Sequence, residues 1–507
     1  IGDTIVVLGG DNYRIGMGGG AVSSVATGEF SSSIELNAVQ RSNPEMQKRV
    51  YNAIRAMAES DTNPIVSLHD HGAGGHLNCL SELLEDIGGK VSIDKLPIGD
   101  NTLSAKEIIG NESQERMGLL IKSKDVQLLS SVAKRERAPM YAVGNTTGDF
   151  RLVFSQKGSK PIDLAVEDML GNPPKTVIQD ESVKECFMYI PELKEDIAII
   201  LEKVLRLESV ACKDWLTNKV DRSVTGKVAR QQCCGPLQLP LSNLGAVAID
   251  FKGEKGIGVS IGHAPVPALI NPAHGSVLSI AEALTNIVWA PLQGGLEAVS
   301  LSANWMWPCK NKGEDARLYQ AVEAASDFTC ALEINIPTGK DSLSMTQKYP
   351  GGELVYAPGT VIISAVAEIE DVKKIITPVL KADKDTVIVY VDFSSDTFKL
   401  GGSCYAQINN VLGNDTPTVV DTAYFRKAFN GIQQLIREEK ILAGHDISAG
   451  GMITALLEMC FAETNISLDV DLSMFAESKI ENILFAENPG VLIQLENNKE
   501  VFNRLRE

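Results

Sequence analysis

The feature that most constrains this chain is a set of four short segments that occurs twice, in the same order. The paired segments are Thr4–Gly9 and Thr386–Val391, Met17–Ala21 and Leu400–Ser403, His69–Gly75 and His445–Gly451, and Gly118–Ile121 and Gly490–Ile493. The offset between partners drifts only slowly along the chain, so a duplicated domain explains the pattern better than chance. Because only two copies occur, the repeat is a gene duplication and not a solenoid.

Each copy predicts an alternation of strands and helices. A short β-branched strand ends at glycines, an amphipathic helix follows, and a second strand leads into a His-Asp pair. In the first copy the helix is expected from about residue 44 to residue 60, with Met46, Val50, Ile54 and Met57 on one face. This pattern predicts an α/β fold.

A different region separates the two copies. Asn172-Pro173-Pro174 marks a break, and the residues from about 220 to 369 predict a further mixture of strands and helices. The second copy stops soon after Ile493, whereas the first continues to about Asp168, so we expect the second copy to be incomplete. Since the chain also begins directly in a strand-like segment, we expect it to be a section of a larger protein.

Charge and cysteine content exclude several classes of function. With 47 Lys and Arg against 65 Asp and Glu, the net charge is −18, which argues against nucleic-acid partners and against an anionic membrane surface. Nine cysteines without a Cys-x-x-Cys pair fit a reducing cytoplasm. No apolar run reaches the roughly 18 residues that span a bilayer. Anionic ligands remain possible, because backbone N–H groups at glycine turns bind phosphate.

The two His-Asp-x-x-x-Gly-Gly segments are the first candidates for a site. Glycines after a strand let a phosphate approach the backbone, and a carboxylate at the strand end can bind Mg²⁺. The alternative is a tight turn with a helix cap, which uses Asp and Gly for ordinary conformational reasons. Recurrence of the segment favours the ligand-binding interpretation.

Four other segments leave two interpretations open. The glycines Gly18, Gly19 and Gly20 suit either a phosphate cradle or a structural turn, and they are not followed by the Gly-Lys-Ser/Thr of a P-loop. Glu282 and Asn286 share a helix face and could share one Mg²⁺, or could form an ordinary polar pair. The polar stretch 111–116 and the turn 336–342 could each face a ligand or solvent.

Taken together, the strings resemble those of the phosphoribosylformylglycinamidine synthases, in their large single-chain form. The resemblance runs in order along essentially the whole chain, through residues 17–24, 39–46, 69–75, 111–116, 134–139, 221–226, 228–230, 282–286, 301–306, 339–342 and 445–446.

The resemblance implies a ligase of purine biosynthesis. Members of this family convert formylglycinamide ribonucleotide to the amidine: ATP activates the amide oxygen as a phosphate-bearing intermediate, and ammonia from glutamine displaces the phosphate. Their core resembles two fused aminoimidazole ribonucleotide synthetase-like units, each with an N-terminal-type and a C-terminal-type α/β domain. The domains implied are a first C-terminal-type domain at 1–170, a linker and helix at 171–211, a second N-terminal-type domain at 212–370 and an incomplete second C-terminal-type domain at 371–507.

The same resemblance implies roles for individual residues and the cofactors Mg²⁺ and ATP, with ADP at an auxiliary site. The implied substrate contacts are Gln40, Glu112, Ser113, Gln114 and Ser342. The implied nucleotide contacts are Gly18, Gly19, Gly20, Gly339, Lys340 and Ser448. The implied metal ligands are Asp70, Asn243, Glu282, Asn286 and Asp446. Asn243 departs from the family, which often has Asp there; an amide oxygen can still bind Mg²⁺ but contributes no negative charge.

Two parts of the family pattern do not occur in the sequence. The Thr-His-Asn-His-Pro-like motif with the catalytic histidine is absent, and so are the nucleophilic residues of the glutaminase domain. We therefore expect no catalytic residue within this chain and no full reaction without those two domains, which are its implied partners together with small-molecule substrates. The alternatives are a related superfamily enzyme with another acceptor, against which the strings 111–116 and 301–306 argue, and a non-catalytic nucleotide-binding module.

Overall fold

A computed structural model describes most of the chain, in two compact units. The described residues are 1–38, 42–72, 74–112, 115–171, 175, 177–183, 185–217, 226–382, 385–463, 465–477 and 479–498. Unit 1 comprises residues 1–177 and 346–355, and unit 2 comprises residues 178–345 and 356–507. The predicted domains at 212–370 and 371–507 fall mostly within unit 2, and their boundaries stay predictions.

Unit 1 is built on one seven-stranded sheet with the order β2-β4-β1-β5-β3-β6-β7. Its strands are β1 (Thr4–Gly9), β2 (Ile65–Asp70), β3 (Gly89–Ser92), β4 (Arg116–Ile121), β5 (Met140–Thr146), β6 (Arg151–Gln156) and β7 (Ser159–Ala165). Its helices are α1 (Gly19–Ser23), α2 (Ser32–Ala38), α3 (Pro44–Ala58), α4 (Gly75–Leu83), α5 (Ala105–Gly110), α6 (Val126–Glu136) and α7 (Val166–Leu170).

Strand β1 is buried on both faces. Because side chains alternate across a sheet, its residues belong to two different core clusters. Ile5 and Val7 belong to one core cluster together with Leu80 of α4. Val6 and Leu8 belong to the opposite cluster together with Val50 of α3. The apolar run at the start of the chain is therefore the centre of a layered α/β unit, as its composition predicts.

Unit 2 contains two sheets that matter for the site. The strands between residues 178 and 370 are β8 (Val228–Arg230), β9 (Cys233–Cys234), β10 (Leu239–Pro240), β11 (Gly245–Ala248), β12 (Gly256–His263), β13 (Ser300–Met306), β14 (Asn335–Ser342), β15 (Thr346–Lys348), β16 (Leu354–Tyr356) and β17 (Thr360–Ile369). Six of them form a sheet with the order β14-β13-β17-β12-β11-β8. Strands β9 and β10 pair with each other, and so do β15 and β16. Residues 346–355, which include β15 and most of β16, belong to unit 1.

The second sheet of unit 2 is three-stranded, with the order β18-β20-β19. Its strands are β18 (Thr386–Asp392), β19 (Ile441–Asp446) and β20 (Gly490–Glu496). The helices of the unit are α8 (Ile197–Leu205), α9 (Asp214–Thr217), α10 (Pro265–Ile270), α11 (Pro272–Ile287), α12 (Glu314–Leu332), α13 (Cys404–Ile408), α14 (Thr422–Arg437), α15 (Gly451–Phe461) and α16 (Ile480–Phe485). Short 3₁₀ turns lie at Ile93–Lys95, Ser123–Asp125, Gly295–Ala298 and Val372–Lys374.

The predicted repeat is visible in the strand pairing. In unit 1, β4 pairs antiparallel with both β1 and β2, and in unit 2, β20 pairs antiparallel with both β18 and β19. Val6 pairs with Leu119 in the first copy, and Val389 pairs with Ile493 in the second. The duplicated α/β fold is therefore confirmed.

Within the described part of the chain, one face of the six-stranded sheet packs on a helix and the other is exposed. Strand β12 alternates strictly between buried and exposed residues, and Ser260 on its buried side donates to a carbonyl of α11. On the other side Ile257, Val259 and Ile261 are exposed, together with Val366 of β17. Among the described residues, no helix is long and apolar enough to cross a membrane.

Candidate functional site

Each copy of the repeat brings its glycine turn and its His-Asp turn together at a single glutamate. In unit 1, Oε1 of Glu112 accepts a hydrogen bond from the backbone N–H of Gly74 at 3.0 Å. The same carboxylate lies directly against Gly19, where a Cβ atom would clash with it. Gly19 therefore has no side chain because the Glu112 carboxylate occupies that space.

In unit 2 the equivalent residue is Glu487, which the sequence did not single out. Its Oε1 accepts hydrogen bonds of 2.8 Å from the backbone N–H groups of Gly450 and Cys404. Burial raises the pKa of the Glu487 carboxyl; the two backbone hydrogen bonds oppose the shift, and the nearby charge of Glu282 adds to it. The signal in the sequence was a Glu shortly before a glycine of the strand that the two copies share: Glu112 before Gly118 of β4, and Glu487 before Gly490 of β20.

Asp70 is an exposed member of the predicted metal ligands. It ends β2, and 71% of its side chain is exposed. A cavity of about 470 Å³ in unit 1 is lined by Asp70, His71, Glu112 and Arg116, together with apolar residues of α3. An exposed carboxylate at the mouth of such a cavity suits a hydrated Mg²⁺, which usually keeps several waters.

Behind this cavity lies a buried polar network that sequence reasoning missed. His71 Nε2 is 2.9 Å from His76 Nδ1, and His76 Nε2 is 2.8 Å from Nη1 of Arg116. Because a guanidinium only donates, His76 Nε2 is the acceptor, and its Nδ1–H donates to His71. Burial and then the charge of Arg116 hold the pKa of each histidine well below its usual range. Burial also lowers the pKa of Arg116 to about 10.

Other predicted contacts of unit 1 are placed as follows. Gly18 has the left-handed φ of +70° that favours glycine. It directly precedes the short helix α1, whose first two residues are Gly19 and Gly20. Gln40, Ser113 and Gln114 lie outside the described residues, so their roles stay predictions.

A second, smaller cavity lies in unit 2, with a volume of about 150 Å³. Three of its polar lining residues come from separate elements: Glu282 from α11, Ser448 from the His-Asp turn and Glu487 from the loop before β20. Apolar residues such as Val266, Leu278 and Ile447 line much of the rest. A mostly apolar cavity with a few convergent polar groups is typical of a small-molecule site.

The predicted pair on α11 is only partly engaged. Glu282 Oε2 accepts from the backbone N–H of His263 at 2.8 Å, and the amide of Asn286 donates to the carbonyl of Ile261 at 2.8 Å. Oδ1 of Asn286 is buried and has no hydrogen-bond partner among the described residues. An orphaned buried oxygen costs free energy, so this atom fits a ligand, a water or a cation.

Asn243 and Asp446 lie together, but in an arrangement that differs from a shared metal site. The Asn243 amide donates to both carboxylate oxygens of Asp446, at 2.9 and 3.2 Å. His445 lies between Asp446 and Glu458, with Nδ1 3.3 Å from Asp446 Oδ1 and Nε2 2.8 Å from Glu458 Oε2. Burial alone would lower the pKa of His445, but the two carboxylates, Asp446 first, raise it to about 10.

The remaining predicted contacts lie on an edge strand. Gly339, Lys340 and Ser342 belong to β14, which pairs only with β13 in its sheet, and Lys340 Nζ is 3.0 Å from Ser342 Oγ. They are not among the lining residues of the unit 2 cavity. Within the described part of the chain, no group of three or more His, Cys, Asp or Glu side chains could hold a metal ion.

Family models match both kinds of domain in the chain. The model described as "AIR synthase related protein, C-terminal domain" matches residues 1–157 and 387–507, which together are more than half of the sequence. The chain belongs to this family. The model described as "FGAR-AT PurM_N-like domain" matches residues 212–368, the region between the two AIR synthase related segments.

Two relatives of the chain are named as phosphoribosylformylglycinamidine synthases. The chain is 39% identical over 98% of its length to the probable phosphoribosylformylglycinamidine synthase, chloroplastic/mitochondrial, of Arabidopsis thaliana. It is 40% identical over 98% of its length to the phosphoribosylformylglycinamidine synthase of Homo sapiens. The chain spans only 36% and 38% of these two relatives.

Solved structures show the same AIR synthase related fold. The structure of T. maritima PurL complexed with FGAR matches with a TM-score of 0.67 at 17% identity, covering 98% of this chain and 69% of that one. T. maritima PurL complexed with ADP matches with a TM-score of 0.64, also at 17% identity, covering 98% of this chain and 68% of that one.

Proposed function

We propose that this chain is part of an ATP-dependent ligase of purine biosynthesis, which converts formylglycinamide ribonucleotide and glutamine-derived ammonia to the amidine. The observation that carries the proposal is the identity of about 40% to a human phosphoribosylformylglycinamidine synthase over 98% of the chain. The presence of both domain types, in the order expected of a fused synthetase, supports it. The same identity argues against the alternative of a related enzyme with another acceptor.

In this proposal the unit 1 cavity contributes to the reaction site. Asp70 holds Mg²⁺, which neutralises phosphate charge when it is bound. Glu112 fixes the positions of the two glycine-rich turns, and it contacts substrate together with Gln40, Ser113 and Gln114. Gly18, Gly19 and Gly20 contact nucleotide. On β14 of unit 2, Gly339 and Lys340 contact nucleotide, and Ser342 contacts substrate.

The unit 2 cavity binds a nucleotide in an auxiliary role. Glu282 and Ser448 supply polar contacts from its lining. Asn286 lies four residues along α11 from Glu282, and its Oδ1, which has no partner among the described residues, supports this assignment. The PurL of T. maritima, which shares this fold, was solved in complex with ADP, and this also supports an adenine nucleotide as the ligand.

Other domains of the parent protein complete the enzyme. The apolar face formed by Ile257, Val259, Ile261 and Val366 is exposed, and an extensive exposed apolar face often marks an interface. We propose that the first N-terminal-type domain covers this face and supplies the catalytic histidine, while a glutaminase domain supplies ammonia. A cytoplasmic location is also a proposal; the Arabidopsis relative is named as chloroplastic/mitochondrial.

Two assays test the reaction. The chain alone, given ATP, formylglycinamide ribonucleotide, Mg²⁺ and ammonia, should release no phosphate above background, and robust turnover would contradict its dependence on further domains. The chain joined to the flanking domains of the human relative should release phosphate in a substrate-dependent manner. Asp70→Asn in that fusion should abolish the release, while Asp86→Asn at an unrelated position should not.

Calorimetric titration with ADP tests the auxiliary site separately. The chain should bind ADP, and Glu282→Ala should weaken binding by at least about tenfold, the effect of roughly 1.4 kcal/mol. Absence of ADP binding would leave the unit 2 cavity with a structural role only.

A further inference from the structure

Two side chains of this chain, Asn243 and His445, place hydrogen-bond donors against the Asp446 carboxylate. Only 2% of the residue is exposed, and both of its oxygens accept from the Asn243 amide. His445 lies beside it on the other side, with Nδ1 facing Oδ1. Asn243 itself is exposed, so its amide closes the approach to Asp446 from solvent.

This arrangement conflicts with a cation at the same carboxylate. A divalent ion requires oxygen lone pairs directed at it, whereas Asn243 presents N–H groups with partial positive charge. The imidazole of His445 adds a second donor to the same carboxylate. Within the described residues no third acidic or imidazole side chain completes a metal-binding group here. The residues at Asp446 therefore do not fit a metal ion.

Electrostatics explains how the buried carboxylate is stable without a metal. An isolated buried charge is costly, and the usual remedy is a paired charge or several hydrogen bonds. Asp446 has two donors from Asn243 and one from His445, whose other nitrogen is held by Glu458. The positive charge that a metal ion would supply is thus supplied by protein groups.

We propose that the Asn243 amide replaces a divalent cation at Asp446, so that this carboxylate binds no metal ion in the present chain. Residue 243 then determines whether unit 2 binds a metal ion at Asp446: an amide side chain there prevents binding, and a carboxylate would permit it. The inference concerns Asp446 alone and is independent of the reaction proposed above, so the failure of one does not entail the failure of the other.

Titration with Mn²⁺, followed by the electron paramagnetic resonance signal of the free ion, compares the wild-type chain with Asn243→Asp. The variant places a second carboxylate beside Asp446, and we expect it to bind one Mn²⁺ at least about tenfold more tightly than wild type, because ligand charge controls affinity at oxygen sites. Asn430→Asp adds the same charge on the exposed side of α14 and serves as the control. If Asn243→Asp gains no more Mn²⁺ binding than Asn430→Asp, the proposal is wrong.

A second measurement needs no variant and therefore does not depend on the folding of one. Wild-type crystals soaked in MnCl₂ should show no anomalous peak at coordination distance from the Asp446 oxygens. A peak at that position would overturn the proposal. Crystals of Asn243→Asp, where obtained, should show the peak that the wild type lacks.

Discussion

The Glu487 carboxylate accepts a hydrogen bond of 2.8 Å from the backbone N–H of Gly450 and thereby fixes the turn that follows β19. It accepts a second bond of equal length from the N–H of Cys404. Since both donors are buried, Glu487→Ala should leave two unsatisfied N–H groups and lower the free energy of unfolding by about 2 to 4 kcal/mol. Urea denaturation of the chain measures this loss.

Glu487→Gln is the matched control for that substitution. Its amide oxygen can accept the same two bonds, so the loss should stay below about 1 kcal/mol. Equal losses for the Ala and Gln variants would show that the negative charge, and not the hydrogen bonding, holds the turn.

Deprotonation of the His445 imidazole should lower the free energy of unfolding at alkaline pH. Its folded-state pKa of about 10 lies above the ordinary value of 6.5, so its contribution is complete below pH 6.5 and is lost as pH rises through 10. Glu458→Gln removes one of the carboxylates that raise this pKa, so the loss should be complete at a lower pH than in wild type. The free energy of unfolding measured between pH 6 and 10 should differ between variant and wild type most strongly near neutral pH, by roughly 1 to 3 kcal/mol.

The control for Glu458→Gln is Glu208→Gln, which removes the same charge from an exposed position. Its pH profile should run parallel to that of wild type. If the profile of Glu458→Gln is also parallel, His445 does not titrate as proposed.

Gln433 should be essential for the stability of unit 2. It is fully buried on α14, donates to the carbonyls of Val288 and Ala290, and accepts from the N–H of Leu292. Gln433→Leu fits the apolar core but leaves these backbone groups unpaired, and should cost about 2 to 4 kcal/mol. Gln434→Leu, one position away on the exposed side of the helix, should change stability by less than about 0.5 kcal/mol. Thermal unfolding distinguishes the two variants.

Gly444 should tolerate no side chain, because a Cβ atom there would overlap the indole ring of the buried Trp289. Gly444→Ala should lower the free energy of unfolding by about 1 to 3 kcal/mol. Combining it with Trp289→Leu makes room for the methyl group, so the double variant should be more stable than the sum of the two single effects predicts, by about 1 kcal/mol. Strict additivity would contradict the contact.

Gly444 and Leu68 have surroundings that differ in a way the sequence alone does not predict. The two positions are equivalent in the repeat, since each directly precedes a His-Asp pair. Leu68 pairs with Leu119 of β4, and Gly444 pairs with Ile493 of β20. Leu68 is exposed in unit 1, whereas Gly444 packs on a tryptophan from a distant part of the chain. The repeat predicted the strand at both positions, but not which side chain each could carry.

The sequence by itself determined the duplication and the order of strands and helices, because strand and helix periodicities are local properties of the chain. The family resemblance rests on short strings of residues, which are also local. Only the tertiary structure decided what the carboxylates do. Glu487 emerged as the link between two turns, and Asp446 as the partner of Asn243, a residue 203 positions away. Hydrogen bonds and burial depend on neighbours brought together by folding, and no local pattern in the sequence encodes them.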